Sequence, residues 1–220
     1  LPVESLIRKG ERDKANALLD AALMTLGTPP ARGSAGERPR PRPEGQGPLI
    51  STTRPPAGLS SDVVNDPLLI WNDPSVLKEG SGYSMWLSLG RGGAHGVSIY
   101  KLSSSDGMRW TAEHGGRPVL TPGDKKRGEF DWFGVETPAV IKVGDTYHMY
   151  YSAYKDGRVP LCTMGHATSS DGVSWRRLGE LLPVTEPVGE PAGNRWGWLA
   201  RCEPTAVYRD GTFRLYFTDV

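Results

Sequence analysis

"NDPSVLKEGSGYSMWLSLG" (residues 72–90) decides the fold, because the same pattern returns twice further along the chain. The second copy is "VETPAVIKVGDTYHMYYSAY" (135–154), and the third is "CEPTAVYRDGTFRLYFTD" (202–219). Each copy has a proline near its start, and these prolines lie 64 and 66 residues apart: Pro74, Pro138 and Pro204. A fixed period of this length indicates a repeat architecture, in which each unit is a small sheet that needs its neighbours.

A second marker follows the same period. "SSSDGMRW" (103–110) recurs as "TSSDGVSW" (168–175), which places the two tryptophans 65 residues apart. Between the markers, short aromatic-rich segments alternate apolar and polar residues and are separated by Gly, Asp and Ser, which is typical of β-strands. Each repeat holds about four such segments, and repeated four-stranded units are the blades of a β-propeller. The predicted fold class is therefore all-β, a β-propeller of four-stranded antiparallel blades.

The number of blades also follows from the repeats. The third copy stops at Val220 after about two strands, so residues 62–220 hold roughly two and a half blades. Propellers close with at least ~4 blades. The chain is therefore expected to be a fragment of a longer product, or to be completed by another chain.

Two different segments precede the repeats. Residues 1–27 form a predicted N-terminal helical segment, because Ala and Leu recur at three- and four-residue spacing over residues 12–26 and Gly27 follows them. Residues 28–61 are rich in Pro and Arg and poor in apolar side chains, which predicts a flexible or extended linker. A basic arm for nucleic acid is the alternative, but no aromatic residues are interleaved with the arginines.

Composition limits the partners. The net charge of +1 argues against a bulk electrostatic partner such as nucleic acid, and no apolar run approaches the ~20 residues of a membrane span. The two cysteines, Cys162 and Cys202, make no disulfide framework; a pair between them is the alternative to two buried free thiols. No spacing of His, Cys and acids predicts a metal site, and no cofactor is predicted. Neither a secreted nor a cytoplasmic location is indicated.

The acidic residues beside the repeated prolines are the candidate catalytic groups: Asp73, Glu136 and Glu203. They begin the first strand of each block, which is the innermost strand of a propeller blade, so they are expected to share one central pocket. Paired carboxylates suit glycosidic-bond cleavage, in which one protonates the leaving oxygen and the other activates water or attacks the sugar. Burial and mutual repulsion separate their pKa values. Alternatively, each acid merely caps a turn before its proline.

Further candidates lie in the loops that lead to these acids. Trp132, Phe133 and Trp198 could stack on sugar rings or pack beneath the loops. Arg201 lies two residues before Glu203 and could hold a substrate carboxylate or tune an acid. His166 is expected to face the cavity from the second block. These five residues are the predicted substrate-binding set.

The segments "WNDPSVL", "GVETPAVI", "YHMYYSAY" and "ATSSDGVSW" resemble the five-bladed β-propeller glycosidases of glycoside hydrolase families 43 and 32 and their relatives. Those families carry an Asp-Pro in the first blade, as base or nucleophile, and a Glu-x-Pro in the third, as general acid. The resemblance implies the first role for Asp73. Glu136 matches the Glu-x-Pro pattern, but in the second visible blade. Glu203 directly precedes its proline, as the Asp of the Asp-Pro pattern does, with Glu in place of Asp. It also implies a carbohydrate substrate and an O-glycosyl hydrolase.

Two other functions remain open. A glycoside phosphorylase of the same architecture would need basic residues at the pocket, for which Arg91, Arg201 and His166 are the candidates. A glycan-binding propeller without catalysis is favoured by the unequal register of the acids. The two Ser-Asp-Gly motifs resemble the Asp-box turns of sialidase-type propellers, which implies structural roles for four residues: Asp106, Trp110, Asp171 and Trp175.

Overall fold

The computed structural model describes residues 55–60, 63, 69–91, 96–155, 161–183 and 199–219. The strands within these ranges are β1 (Leu69–Glu79), β2 (Gly82–Arg91), β3 (Ser98–Ser104), β4 (Thr111–Ala112), β5 (Gly134–Val143), β6 (Thr146–Tyr154), β7 (Leu161–Ser169), β8 (Arg176–Leu181), β9 (Leu199–Arg209) and β10 (Thr212–Asp219). Two short 3-10 helices, His114–Gly116 and Lys125–Arg127, lie between β4 and β5. No helix in the part described is long and apolar enough to cross a membrane.

The strands form successive antiparallel blades, which confirms the predicted propeller class. β1 to β4 pair in chain order as the first four-stranded blade, and β5 to β8 pair in the same way as the second. β9 and β10 form the first hairpin of a third blade. A two-residue parallel contact, Leu161 to Leu199 and Cys162 to Ala200, joins β7 to β9 and so links the second blade to the third.

The predicted N-terminal helix lies outside the described residues, as does most of the predicted linker. Near the linker's end, Ala57 forms an isolated parallel bridge with Thr111 in the first blade. Its N–H donates to the carbonyl of Trp110, and its carbonyl accepts from Ala112. This part of the linker is therefore bonded to the outer strand of the first blade.

Each inner strand returns through a turn of two residues, which fixes the register of its hairpin. Gly80 and Gly144 have φ values of 58° and 57°, and Asp210 and Gly211 both have positive φ. Two-residue hairpin loops need this left-handed backbone to match the twist of the strands, and Gly and Asp are among the residues that adopt it most readily. The "EGSG", "VGDT" and "RDGT" segments thus explain why the hairpin recurs in all three blades.

Aromatic side chains fill the space between the first and second blades. Trp86 on β2 is fully buried, with its ring centroid 5.7 Å from that of Tyr147 and 6.3 Å from that of Trp175. Its Nε1–H donates to the carbonyl of Gly172 at 2.9 Å, so the indole buries no unpaired donor. This packing couples the two blades, because neither sheet could bury the indole alone.

The two Ser-Asp-Gly turns have the structural role that their resemblance implied. Asp106 accepts the backbone N–H groups of Met108 and Arg109, each at 2.8 Å, and Asp171 accepts those of Val173 and Ser174 at 2.8 and 2.7 Å. These backbone hydrogen bonds lower the pKa of Asp106 to about 2 and hold the pKa of Asp171 well below its usual range. Both carboxylates thus stabilise the turns in which they lie.

A buried ion pair anchors the loop that leads into β5. Asp131 is fully buried, and its Oδ2 accepts from Arg177 Nε at 2.8 Å and from the Tyr151 hydroxyl at 2.9 Å. Arg177 also donates to the carbonyl of Thr121. The contacts connect the loop to β6 and β8, and they fix the chain just ahead of an inner strand.

Replacing Arg177 by Met is expected to destabilise the protein by about 3 kcal/mol or more, because it leaves a buried carboxylate without its partner. The exposed neighbouring Arg176→Met is the matched control and should stay within about 0.5 kcal/mol of wild type. Chemical denaturation measures both. The double variant Asp131→Asn, Arg177→Met should recover much of the loss, and equal stabilities for the two single variants would contradict the assignment.

Candidate active site

A β-bulge interrupts each of the three inner strands at its Xaa-Pro pair. The strand register breaks between Asn72 and Ser75 in β1, and equivalent breaks occur at the prolines of β5 and β9. The residue before each proline is left-handed: Asp73 has φ 53°, Thr137 has φ 47° and Glu203 has φ 55°. Non-glycine residues adopt such angles rarely, and bulges of this kind re-aim side chains next to active sites.

Serine hydroxyl groups of the preceding blade hold two of these bulges, those of β5 and β9. Ser88 on β2 accepts the N–H of Thr137 at 2.9 Å, and Ser152 on β6 accepts the N–H of Glu203 at 2.9 Å. Both serines are fully buried, and Ser152 also hydrogen-bonds the Thr137 hydroxyl. Each blade therefore fixes the bulge of the next blade through one serine.

The bulges line a common cleft of about 360 Å³. Its walls come from equivalent segments of the three inner strands, at residues 73–75, 137–140 and 203–206. Asp73 and Glu203 thus lie in one cleft. Glu136 precedes the bulge residue Thr137 by one position and is not among the lining residues, although the charge of Asp73 acts on it.

Burial and mutual repulsion make the carboxylates harder to ionise. Partial burial in the cleft is the main cause that raises the pKa of Asp73, although the residue remains exposed, and the negative charge of Glu203 raises it further. Burial also raises the pKa of Glu136; a hydrogen bond from Tyr154 lowers it in part, and the charge of Asp73 raises it again. Carboxyl groups with pKa values raised by burial and by a like charge are common in catalytic sites.

One neighbouring side chain fixes each carboxylate. Asn72 Nδ2 donates to Asp73 Oδ2 at 2.7 Å, Tyr154 donates to Glu136 Oε2 at 3.2 Å, and Thr218 donates to Glu203 Oε2 at 2.8 Å. Sequence analysis missed all three donors: Asn72, Tyr154 and Thr218. Thr218 lies near Glu203 because β9 and β10 pair across the bulge, a register that only the structure reveals.

The predicted aromatic residues occupy the loop before β5. The rings of Trp132 and Phe133 meet edge to face, with centroids 5.6 Å apart, and Lys125 Nζ lies 4.0 Å from the centre of the Trp132 ring. Both rings are half-buried, and neither residue lines the cleft of the bulges. Trp198 lies outside the described residues.

His166 and Arg201 also have protein partners. His166 stacks on Tyr150, with centroids 4.5 Å apart, and on His148; burial, with a contribution from the charge of His148, lowers its pKa to about 4. Arg201 Nε lies 3.3 Å from Asp219 Oδ1, and its Nη1 donates to the carbonyls of Leu182 and Pro183. Neither residue lines the cleft.

Replacing Glu136 by Gln is expected to raise the melting temperature at pH 7. A carboxyl whose pKa is raised by folding destabilises the native state at every pH above its unfolded pKa, because its ionised form is disfavoured there. The gain should therefore shrink as the pH falls toward 4. Thermal melts of wild type and variant at several pH values measure it, and a pH-independent difference would contradict the electrostatic origin.

Metal ligation has no candidate here: among the described residues, no group of three or more His, Cys, Asp and Glu side chains is placed to hold an ion.

Several solved glycoside hydrolases share this fold. Zg3597, a family 117 glycoside hydrolase of the marine bacterium Zobellia galactanivorans, matches 74% of this chain with 51% of its own, at 18% identity and a TM-score of 0.55. BT0996, solved as a complex with RGII, matches 69% of this chain with 49% of its own, at 16% identity and a TM-score of 0.52. The exo-β-1,3-galactanase of Phanerochaete chrysosporium, solved with β-1,3-galactotriose, matches 68% with 32% of its own, at 16% identity and a TM-score of 0.50.

No family model and no curated protein matches the sequence. The chain spans about half the length of the first two of these structures, and identities of 16–18% show the fold alone. The blades and the three structural matches agree on one conclusion: this chain has the β-propeller fold of glycoside hydrolases and holds part of such a propeller.

Proposed function

We propose that this chain contributes the acidic cleft of a glycoside hydrolase that cleaves oligo- or polysaccharides. The observation that carries the proposal is the placement of Asp73, Glu136 and Glu203 at the bulges of three neighbouring inner strands, with Asp73 electrostatically coupled to both glutamates. The galactotriose in the structurally similar galactanase supports a carbohydrate substrate.

The environments favour separate roles for the carboxylates. Asp73 lies at a bulge and lines the cleft, which suits the base or nucleophile that must reach the anomeric carbon or its attacking water. Glu136 is more deeply buried than Asp73, and burial raises its pKa, which suits a protonated general acid; the Tyr154 hydroxyl fixes the position of its carboxyl group. The nearby charge of Glu203 raises the proton affinity of Asp73 and thus its strength as a base.

One observation favours a glycan-binding module without catalysis. Thr137 occupies the bulge position that Asp73 and Glu203 occupy in the other strands, so the acid of the second blade is displaced by one residue. Acids at unequal positions in the three strands are compatible with a cleft that still binds glycans and no longer cleaves them. Among the side chains that the structure describes, no comparable observation favours a phosphorylase: Arg201 and His166 contact protein groups, and the side chain of Arg91 is outside the described part.

The test separates turnover from binding. A longer protein that includes this chain and completes the ring is incubated with a panel of oligosaccharides and aryl glycosides, and released reducing ends are measured beside calorimetric binding. Hydrolysis of at least one member supports the proposal. Binding of oligosaccharides without release of reducing ends would establish the binding module instead.

A further inference from the structure

The two cysteines of the chain meet where the second blade joins the third. Cys162 on β7 is 1% exposed and Cys202 on β9 is 9% exposed, and both pack with Ala200 in one buried cluster. Because Cys162 pairs with Ala200 in the parallel contact, Cys202 lies two residues further along the same strand. Both thiols are free in this structure.

The cluster lies directly behind two candidate catalytic groups. Tyr154 is the cross-strand partner of Cys162, packs on the cysteine cluster, and donates its hydroxyl to Glu136. Cys202 immediately precedes Glu203 in β9. A change in the separation of the two sulfurs is therefore transmitted to both glutamates, through one side chain and one peptide bond.

The two thiols have unequal chemistry. The Cys162 thiol donates to the carbonyl of Thr163 at 3.7 Å, and its neighbour Cys202, together with burial, raises the pKa of Cys162. The neighbouring Cys162 thiol in turn lowers the pKa of Cys202, although burial opposes it. Cys202 is also the more exposed thiol, at 9% against 1% for Cys162, so a small oxidant reaches it first: Cys202 is the nucleophile and Cys162 the resolving thiol.

We propose that Cys162 and Cys202 form a redox-sensitive pair that closes to a disulfide between the second and third blades. The oxidant is hydrogen peroxide. The Cys202 thiolate attacks one peroxide oxygen, and the cleaved O–O bond yields a sulfenic acid and, after protonation, one water. The Cys162 thiol then attacks the sulfenic sulfur, which releases a second water and forms the S–S bond. Peroxide gains the two electrons that the two thiols lose.

The disulfide would reshape the neighbouring cleft. An S–S bond of about 2.05 Å is much shorter than a contact between two thiols, so its formation draws β9 toward β7. Glu203 moves with Cys202, and Tyr154 moves with Cys162. The predicted result is a slower hydrolase in the oxidised state, a consequence that rests on the proposed function, whereas the disulfide itself does not.

The test is oxidation of the reduced native chain with hydrogen peroxide, followed by mass spectrometry without reduction. We expect a loss of about 2 Da, the disappearance of both free thiols, and a peptide that joins Cys162 to Cys202. In Cys162→Ala, the sulfenic acid of Cys202 should persist and be trapped by dimedone. In Cys202→Ala, the buried Cys162 should stay reduced.

Three outcomes would overturn the pair. In the first, wild-type protein retains both thiols under a peroxide concentration that oxidises an unfolded control. In the second, both cysteines are oxidised to sulfonic acids without a cross-link. In the third, Cys202→Ala reacts with peroxide as fast as wild type. Each is read by mass, so it is independent of any hydrolase activity. A disulfide that forms without changing hydrolysis would overturn only the predicted effect on the cleft.

Discussion

Replacing Asp73 by Asn is expected to lower the turnover of every glycoside substrate of the completed propeller by about 10⁴-fold. The anomeric carbon must be attacked by water or by the enzyme, and an amide can neither accept the proton nor form the glycosyl bond. The size of the change is similar for good and poor leaving groups, because attack is needed in both cases. Steady-state kinetics on a natural oligosaccharide and on an activated aryl glycoside measure it.

Asp145→Asn is the matched control for this variant. Asp145 is an exposed acid in the turn between β5 and β6 and contributes nothing to the cleft, so its removal should leave turnover unchanged. A thermal melt verifies that both variants are folded. Wild-type turnover in Asp73→Asn would exclude the aspartate from the reaction and make the glycan-binding module the better account.

Replacing Glu136 by Gln is expected to discriminate between substrates. A general acid contributes most when the leaving alcohol is poor, so hydrolysis of natural glycosides should fall by about 10²–10⁴-fold. The phenolate of an activated aryl glycoside is a good leaving group and departs without a proton. Hydrolysis of this substrate should therefore retain near-normal turnover. The measurement compares the decrease in kcat for the natural glycoside with the decrease for the aryl glycoside. A larger decrease for the natural glycoside identifies Glu136 as the general acid, because a loss of folding or binding would affect both substrates alike.

Glu203→Gln is the comparison that assigns the acid. Glu203 is exposed and lies in the cleft, and its charge raises the proton affinity of Asp73. Its replacement should therefore lower the turnover of the natural glycoside and of the aryl glycoside to a similar extent. The reverse pattern, with leaving-group dependence in Glu203→Gln alone, would move the acid role to Glu203. If neither variant shows leaving-group dependence, the assignment of a general acid to this part of the chain is wrong.

The architecture followed from the sequence because its signals are local and repeated. Pro74, Pro138 and Pro204 marked the inner strands, and the Ser-Asp-Gly turns marked the outer loops, at a common period that the blades confirm. Hairpin turns such as Asp210-Gly211 were equally readable, since their residues match the backbone angles that the turn requires.

The details of the cleft depend on contacts between blades, which no local pattern encodes. A residue before proline ordinarily prefers an extended backbone, so the left-handed angle of Thr137 had no signal in its sequence. Ser88 holds that angle from 49 positions earlier in the chain. That His166 faces the cavity stays a prediction; its ring stacks on Tyr150, and it does not line the cleft of the bulges.

The serine that each blade extends to the next has a consequence for how such sites evolve. Ser88 accepts the backbone N–H of Thr137, and Ser152 accepts that of Glu203. Because these contacts involve only the backbone of the bulge residue, they do not depend on its side chain. The occupants of this position in the three strands are already different: Asp73, Thr137 and Glu203. Mutation can therefore exchange an acid for a neutral residue here without rebuilding the strand, and a lineage can lose, move or regain catalytic groups on an unchanged scaffold.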